Sequence, residues 1–565
     1  MNPIKNPAAK KETTNSLVWQ KCLVIIAKNT PVWLSQLSKE YHQSIQTLDQ
    51  IPDIELERLG ALGITGLWLI GIWERSPASK KIKHLYGNEQ RIASAYSILD
   101  YSISKDLGGD NALMELKTRA LKYGIRLACD IVPNHTAIDS PWLLKNPELY
   151  INTEEKPFPA WTFESPNLSA DPEVSIILED GYYTQASTAE AFQYKSKKKD
   201  QPLYIFHGND GTSMPWNDTA QLNYLNPKTR EIMKALIIEV ARKFKIVRMD
   251  AAMTLVKTHF KRLWYPDAGE NTIFPRNSNY LSQSEFDDLM PDEFWSEVMH
   301  ALSKEVPDTF VIAEAFWMME KYLVDSLGMH AVYNSAFLNR LRLKENKFLR
   351  EDLIEIIEDN PKILGNFVNY LTTPDEIPAA DEYGKGKRYF GSCGLMAILP
   401  GIPLFGHGQF EGLVEQYGMD FSQPLREERY DFDLINEHKK LISPLLHQRY
   451  RFSDPKNFAI FDFTDHTGRF NANVLVFFNE VSTYKSLIIF NNQDKAISGY
   501  IKKTAQIKNT ILKDLTQLLV TNNNPIVTLK ELRFELEISL SVEELKSKGI
   551  SINLTPYEFL VFDVA

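Results

Sequence analysis

At residues 247–252 the chain reads V-R-M-D-A-A, so an apolar run delivers Arg248 and Asp250 to its C-terminal end. Side chains alternate along a strand, and residues two apart therefore point to the same side. A guanidinium in that position keeps the neighbouring carboxylate charged and aimed. At the mouth of a parallel barrel, where strand C-termini build the active site, such a pair reads as catalytic. Taken alone it reads more simply as a buried structural ion pair, since those perturb carboxylates too. Three further segments weigh on the choice: D-I-V-P-N-H at 130–135, I-A-E-A-F-W at 312–317 and T-T-P-D at 372–375. Each ends an apolar run in polar residues, and together they add Asp130, His135, Glu314 and Asp375 to the same kind of strand end.

The elements that must position these groups follow from the spacing of apolar runs. Segments 65–70, 125–132, 246–250, 309–314, 366–371 and 402–405 are rich in Val, Ile and Leu, and amphipathic stretches such as 112–122 and 227–244 separate them. Strands alternating with helices predict βα units and a parallel sheet. The pattern runs from about residue 20 to 450, too far for a small open sheet, so the expected fold is α/β, a (β/α)8 TIM barrel over 17–135 and 223–448. Between them, 136–222 breaks the rhythm with Pro, Asn, Gly and aromatic residues and no clear helix, which predicts an insertion after the third strand. Its run K-S-K-K-K-D at 195–200 reads as a solvated loop tip. From 449 to 565, β-rich runs separated by turn residues predict a C-terminal antiparallel β-sandwich.

Composition narrows the partners. With 565 residues, 44% of them hydrophobic, and a net charge of −10, the chain lacks the basic footprint of a nucleic-acid binder. Three widely spaced cysteines, Cys22, Cys129 and Cys393, point to neither a disulfide framework nor a zinc site, which suits a reducing, cytoplasmic setting. Residues 1–16 are polar and read as a disordered tail, and no segment reaches a membrane-spanning length. Oligomeric state is not legible.

The four motifs, in this order and with an insertion between the first two, resemble the alpha-amylase family, glycoside hydrolase family 13, across nearly the whole chain. A-Y-S-I-L-D-Y at 95–101, Q-L-N-Y-L-N-P at 221–227 and P-G-I-P-L-F at 400–405 resemble further elements of that family. The resemblance implies a retaining α-glycosidase acting on α-glucans or α-glucosyl oligosaccharides by double displacement. Asp250 would be the nucleophile, and Glu314, beside Phe316 or Trp317, the general acid and then base. Asp375 would hold sugar hydroxyls. Tyr96, as a stacking platform, and His135, through hydrogen bonds, would complete the pocket, and Arg248 would bind beside them. Asp130 would support Arg248. No cofactor is required by this chemistry. Asn134 matches a Ca2+ ligand of many members, although an asparagine in a turn is more simply a backbone cap.

Departures from the family pattern leave the pocket open. Thr373 and Pro374 stand where N-H-D is common, so a sugar-contacting histidine is absent, and T-T-P-D is similar to the N-T-P-D of maltosyltransferases that use maltose 1-phosphate. Met253 and Thr254 replace the familiar lysine and histidine, and Ser97 replaces an aspartate. Transglycosylation through the same intermediate, and a catalytically weak glycan-binding scaffold, therefore stand beside hydrolysis, although a binder has no need of Asp250, Glu314 and Asp375 together. His259 and His407 read as structural histidines. Trp142, Trp161 and Trp216 read either as sugar platforms or as packing of the insertion.

Overall fold

In the computed structural model, which describes residues 19–212, 214–267, 280–316, 318–507, 514–520 and 524–564, eight parallel strands close into a barrel. They are β1 (Ile25–Asn29), β2 (Gly66–Ile70), β3 (Arg126–Ile131), β4 (Ile246–Met249), β5 (Phe310–Ala313), β6 (Ala331–Tyr333), β7 (Phe367–Tyr370) and β8 (Ile402–Phe405). β1 pairs with both β2 and β8, which completes the ring. Nearly every strand residue is buried. That is the signature of a sheet covered on one face by helices and filled on the other by its own side chains.

The strands stop one residue short of the chemistry. β4 pairs through Met249, opposite Ile131 of β3 and Ala313 of β5. Asp250 and Glu314 are thus the first residues released from the ladder, while their N–H groups still donate to Ile131 O and Met249 O at 2.9 and 3.0 Å. Two helices show how local sequence sets the frame. α1 (Gly109–Lys122) buries Ala112, Leu113, Leu116 and Ala120, spaced along one stripe. α2 (Pro227–Lys243) begins at Asn226, whose side chain accepts from Lys228 N, with proline in the first turn, where its missing N–H costs nothing.

The insertion after β3 is more regular than its composition suggests. It carries a four-stranded antiparallel sheet, ordered Asn152–Thr153, Leu203–Phe206, Ala191–Ser196 and Val174–Leu178. A two-stranded ribbon of His135–Ala137 and Thr219–Gln221 ties it to the barrel. Val174–Leu178 buries alternate residues, but the run is short and set among Pro, Asn and Glu, which masks its period. Lys195 and residues 197–200 are exposed at a hairpin tip, as expected.

The C-terminal antiparallel domain comprises β9 (Ala459–Asp465), β10 (Val474–Val481), β11 (Tyr484–Asn491), β12 (Ile497–Thr504), β13 (Ile526–Glu531), β14 (Glu537–Ser541), β15 (Ile550–Leu554) and β16 (Phe559–Val564). All eight are hydrogen-bonded into one sheet, in the order β14-β13-β16-β11-β10-β9-β12-β15, with Phe461, Phe463, Val476, Phe478 and Phe562 in its own core. It seats on barrel helix α3 (Lys387–Ile398) through Gly391 and Gly394, where the rings of Phe490 and Phe559 lie 2.4 and 2.5 Å from where a Cβ would stand. Residues 1–16 lie outside the described residues. Among the described residues, no helix is long and apolar enough to cross a membrane.

Candidate active site

Arg248 is the hub of the barrel mouth. Its Nη1 lies 2.7 Å from Asp250 Oδ1 and 2.8 Å from Asp130 Oδ1, and its Nη2 lies 2.6 Å from Glu314 Oε1. Nε donates to Tyr333 Oη at 2.8 Å, and Nη1 reaches Tyr96 Oη at 3.4 Å. Trp68, Tyr96 and Tyr333 surround the guanidinium, with ring centroids at 5.0, 5.7 and 5.5 Å. The cation is therefore locked in orientation as well as paired. Period-2 alternation brings Arg248 and Asp250 to one side of the β4 end, and parallel register sets Glu314, just past β5, beside them.

The turn after Asp250 contributes too. Ala251 has a left-handed backbone, φ 46°, a conformation that a side chain disfavours and that is maintained at functional sites. It turns the Ala251 N–H onto Glu314 Oε2 at 2.8 Å. Both oxygens of Glu314 are thus held, one by a cation and one by a backbone donor.

Electrostatics differ from the expectation that Arg248 alone dominates Asp250. Burial and the Glu314 charge push the Asp250 carboxyl well above its ordinary range, with Arg248 pulling back. The reason is stoichiometric: one guanidinium serves three carboxylates. Burial also raises Asp130, whose carboxylate accepts from Arg248 and from Trp68 Nε1 at 2.9 Å. Its backbone carbonyl accepts from Trp73 Nε1 at 2.8 Å. These bonds turn Asp130 away from the cleft and make it a support for Arg248.

Asp375 stands at the open side of the mouth. It keeps a solvent-exposed edge, yet the protein around it and the Glu314 charge raise it to about 6. The Trp317 position of the Glu314 segment lies outside the described residues.

His135 and Tyr96 meet through a hydrogen bond. His135 Nε2 lies 3.2 Å from Tyr96 O and must carry the proton there. Burial lowers the ring to about 4, so it is neutral at ordinary pH. It thereby fixes the backbone that presents the Tyr96 ring. Trp216 packs on His135 at 5.1 Å and stays half-buried, and buried Trp161 lies between Phe158 and Phe163. His407 accepts from Asn29 N and faces Gln36 Oε1 at 2.7 Å, and His259, on helix Lys257–Trp264, faces Asp210 O at 3.2 Å; both tie neighbouring segments together.

Asn134 does not fit a Ca2+ ligand. Its Oδ1 accepts from Gln221 Nε2 at 2.9 Å and lies 3.1 Å from the Thr254 hydroxyl. Its Nδ2 faces Asn209 O at 3.5 Å. Ca2+ wants six to eight oxygens, carboxylates prominent among them, and among the described residues no group of three or more His, Cys, Asp or Glu could hold a metal. Thr254, in place of the familiar histidine, fills this spot with a hydroxyl that also reaches Ala251 O at 2.7 Å.

Sequence reasoning missed Trp68, Trp73 and Tyr333. Trp68 and Tyr333 sit on β2 and β6, and no polar motif flags them. Tyr333 ends a three-residue strand, too short for a periodic signal, although an inward tyrosine beside a buried arginine is what a desolvated guanidinium needs.

An alpha-amylase catalytic-domain family model matches residues 48–358. Alpha-amylase 3 of Dictyoglomus thermophilum is 20% identical over 394 residues, covering 68% of this chain and 63% of that protein. The chain thus spans a little under two thirds of that relative's length. Among solved structures, an alpha-amylase from Geobacillus thermoleovorans complexed with acarbose superposes with a TM-score of 0.59 at 13% identity, covering 97% of this chain and 99% of that one. A maltogenic alpha-amylase, AmyB from Thermotoga neapolitana, gives 0.60 at 14%, with the same coverage. A debranching enzyme from Nostoc punctiforme gives 0.58 at 15%, again over 97% and 99%. At these identities the superpositions establish the fold, and the family model, matching more than half of the chain, establishes that this protein belongs to the alpha-amylase family of glycosidases, glycoside hydrolase family 13.

Proposed function

We propose that the protein is a retaining α-glycosidase acting on α-glucans or α-glucosyl oligosaccharides. The observation that carries this reading is the single guanidinium spanning Asp250 and Glu314 at 2.7 and 2.6 Å. Two oxygens on one planar fork fit the roughly 5 Å carboxyl separation of a retaining pair better than the roughly 6.5–9.5 Å of an inverting pair.

In the first step an Asp250 carboxylate oxygen attacks the anomeric carbon. The glycosidic bond breaks, and Glu314 gives its proton to the departing oxygen. In the second, water attacks the same carbon, returns a proton to Glu314 and frees Asp250. Arg248 holds both acids in position for these steps. Asp375 accepts hydrogen bonds from sugar hydroxyls, and Tyr96 offers its ring as the floor of the pocket. His135 acts through Tyr96, and Asp130 acts through Arg248.

Passage of the glycosyl group to a sugar or phosphate is the second reading. It is favoured by Pro374, which lines the crevice beside Asp375 where a histidine is common in the family. We also propose a cytoplasmic setting, supported by free Cys22, Cys129 and Cys393. The test is incubation with a panel of maltooligosaccharides and maltose 1-phosphate, with products sized and Asp250→Asn as control. Shorter sugars with α-configured ends support hydrolysis, and longer products support transfer. No turnover of any α-glucoside by the parent protein would remove the reading.

A further inference from the structure

Resting on the glycosidase reading above, we propose that segment 412–431, which follows β8, walls off the glycon side of the site. The enzyme would then accept only the non-reducing ends of α-glucan chains and leave internal bonds uncut.

The general acid orients the site. Glu314 must face the oxygen that departs, so the leaving group lies on the β4 and β5 side. The other side of the mouth, formed by the ends of β7, β8, β1 and β2, is where the rest of the donor would run. That path is crossed by the segment. Gln416 Nε2 donates to Pro374 O at 3.3 Å, next to Asp375. Asn29 Nδ2, at the end of β1, donates to Gly418 O at 3.0 Å. Ala95 N, next to Tyr96, donates to Met419 O at 2.9 Å, and Ile92 N to Asp420 O at 2.9 Å. The strap therefore runs from the neighbour of one pocket-forming residue to the neighbour of another.

It is fastened at both levels of the chain. Asp420 takes Arg91 at 2.8 Å and Lys83 at 3.3 Å, and the Arg91 guanidinium lies 3.9 Å over the Phe421 ring. Half-buried Arg75 donates to Met419 O, Ala93 O and Gly71 O, stitching the strap to the β2 end through three carbonyls. Inside the segment, Glu415 accepts from Leu425 N and Arg426 N, and Glu428 accepts from Val414 N and Glu415 N. A loop with two such carboxylate clamps is preorganised, because each clamp satisfies two backbone donors that otherwise need water.

Behind the strap is a crevice with about 400 Å³ of empty space, part of it open to solvent, lined among others by Asn29, Thr373, Glu376, Gln416 and Tyr417. The Asn29 Oδ1 atom is buried and accepts no hydrogen bond in the protein. A polymer passing through would have to displace residues 416–420.

The test compares maltoheptaose with maltoheptaose blocked at O4 and O6 of its non-reducing glucose by a benzylidene acetal. The expected result is turnover of the free-ended sugar from the outset to one short product, with the blocked sugar at least 100-fold slower. Turnover of the blocked sugar within threefold of the free one overturns the inference and leaves the glycosidase reading standing. Should wild type turn over no α-glucoside, the glycosidase reading fails, and binding to Asp250→Asn decides the closure: blocked sugar bound at least tenfold more weakly supports it, and equal binding overturns it. In Asp420→Ala, which frees the strap from Arg91 and Lys83, the blocked-to-free rate ratio is expected to rise about tenfold; an unchanged ratio in that variant, if it melts as wild type does, counts against the strap as the wall.

Discussion

Arg248 and Glu314 face each other at 2.6 Å, Nη2 to Oε1, across two adjacent parallel strands. The same guanidinium holds Asp250 and Asp130, so one positive charge stands among three carboxylates. In a site this dry, burial and the neighbouring Glu314 raise the Asp250 carboxyl although Arg248 pulls it back.

Arg248→Lys tests the fork. An ammonium is a point charge and cannot reach Asp250, Glu314 and Tyr333 in fixed directions at once. We expect kcat on a short maltooligosaccharide to fall about 100-fold or more, with KM changing far less, because misplacement of catalytic groups is felt chiefly in the transition state. A kcat within threefold of wild type would show that charge alone suffices.

Asp375 gives a pH signature. Its carboxyl is raised to about 6 by burial and by Glu314, so it is neutral below that pH and charged above. A charged acceptor binds sugar hydroxyls better. Affinity of Asp250→Asn for maltooligosaccharide, followed by calorimetry, should therefore rise with a midpoint near pH 6, and Asp250→Asn/Asp375→Asn should show a flat profile. The same shift has a stability sign. A carboxyl raised on folding loses stability as pH climbs from its unfolded value to 6, so Asp375→Asn should melt about 1 °C higher than wild type at pH 7.5 and no higher at pH 4. A destabilised Asp375→Asn at pH 7.5 would contradict this.

Chelation tests the Asn134 corner. Its oxygen already accepts from Gln221 and sits beside Thr254, so excess EDTA should leave the melting temperature within about 1 °C, because only a ligand of the native state raises it. A larger drop, reversed by Ca2+, would show that the ion reorganises this network.

Gly391→Ala tests how the C-terminal sheet docks. The added methyl would meet Phe490 Cε2 at 2.4 Å and Tyr557 O at 3.0 Å. Overpacking of this kind costs about 1–3 kcal/mol, which outweighs the roughly 1 kcal/mol that alanine gains over glycine in a helix. The variant should melt lower, and Phe490→Leu in the same chain should recover part of the loss. No change in melting would mean that the two domains separate freely at this contact.

Much of the barrel was legible because burial on both faces leaves continuous Val, Ile and Leu runs. The strands at 66–70, 126–131, 246–249, 310–313, 367–370 and 402–405 fall inside the expected segments. β6, with three residues, carries too little pattern, and Tyr333 was lost with it. The insertion hid its sheet because strands of two to six residues with solvated faces look like loops when Pro and Asn surround them.

The order and residue types of Arg248, Asp250, Glu314 and Asp375 were determined by the sequence alone, since strand periodicity and apolar run lengths are local properties of the chain. Only the tertiary structure decided how the charge is shared. Parallel register puts Glu314 within reach of the guanidinium already held by Asp130 and Asp250, and in a desolvated mouth that third carboxylate raises Asp250, which a lone arginine would have lowered. It also decided that His135 serves Tyr96, and that residues 416–420 cross the mouth. Those contacts join positions tens to hundreds of residues apart, and no local pattern encodes them.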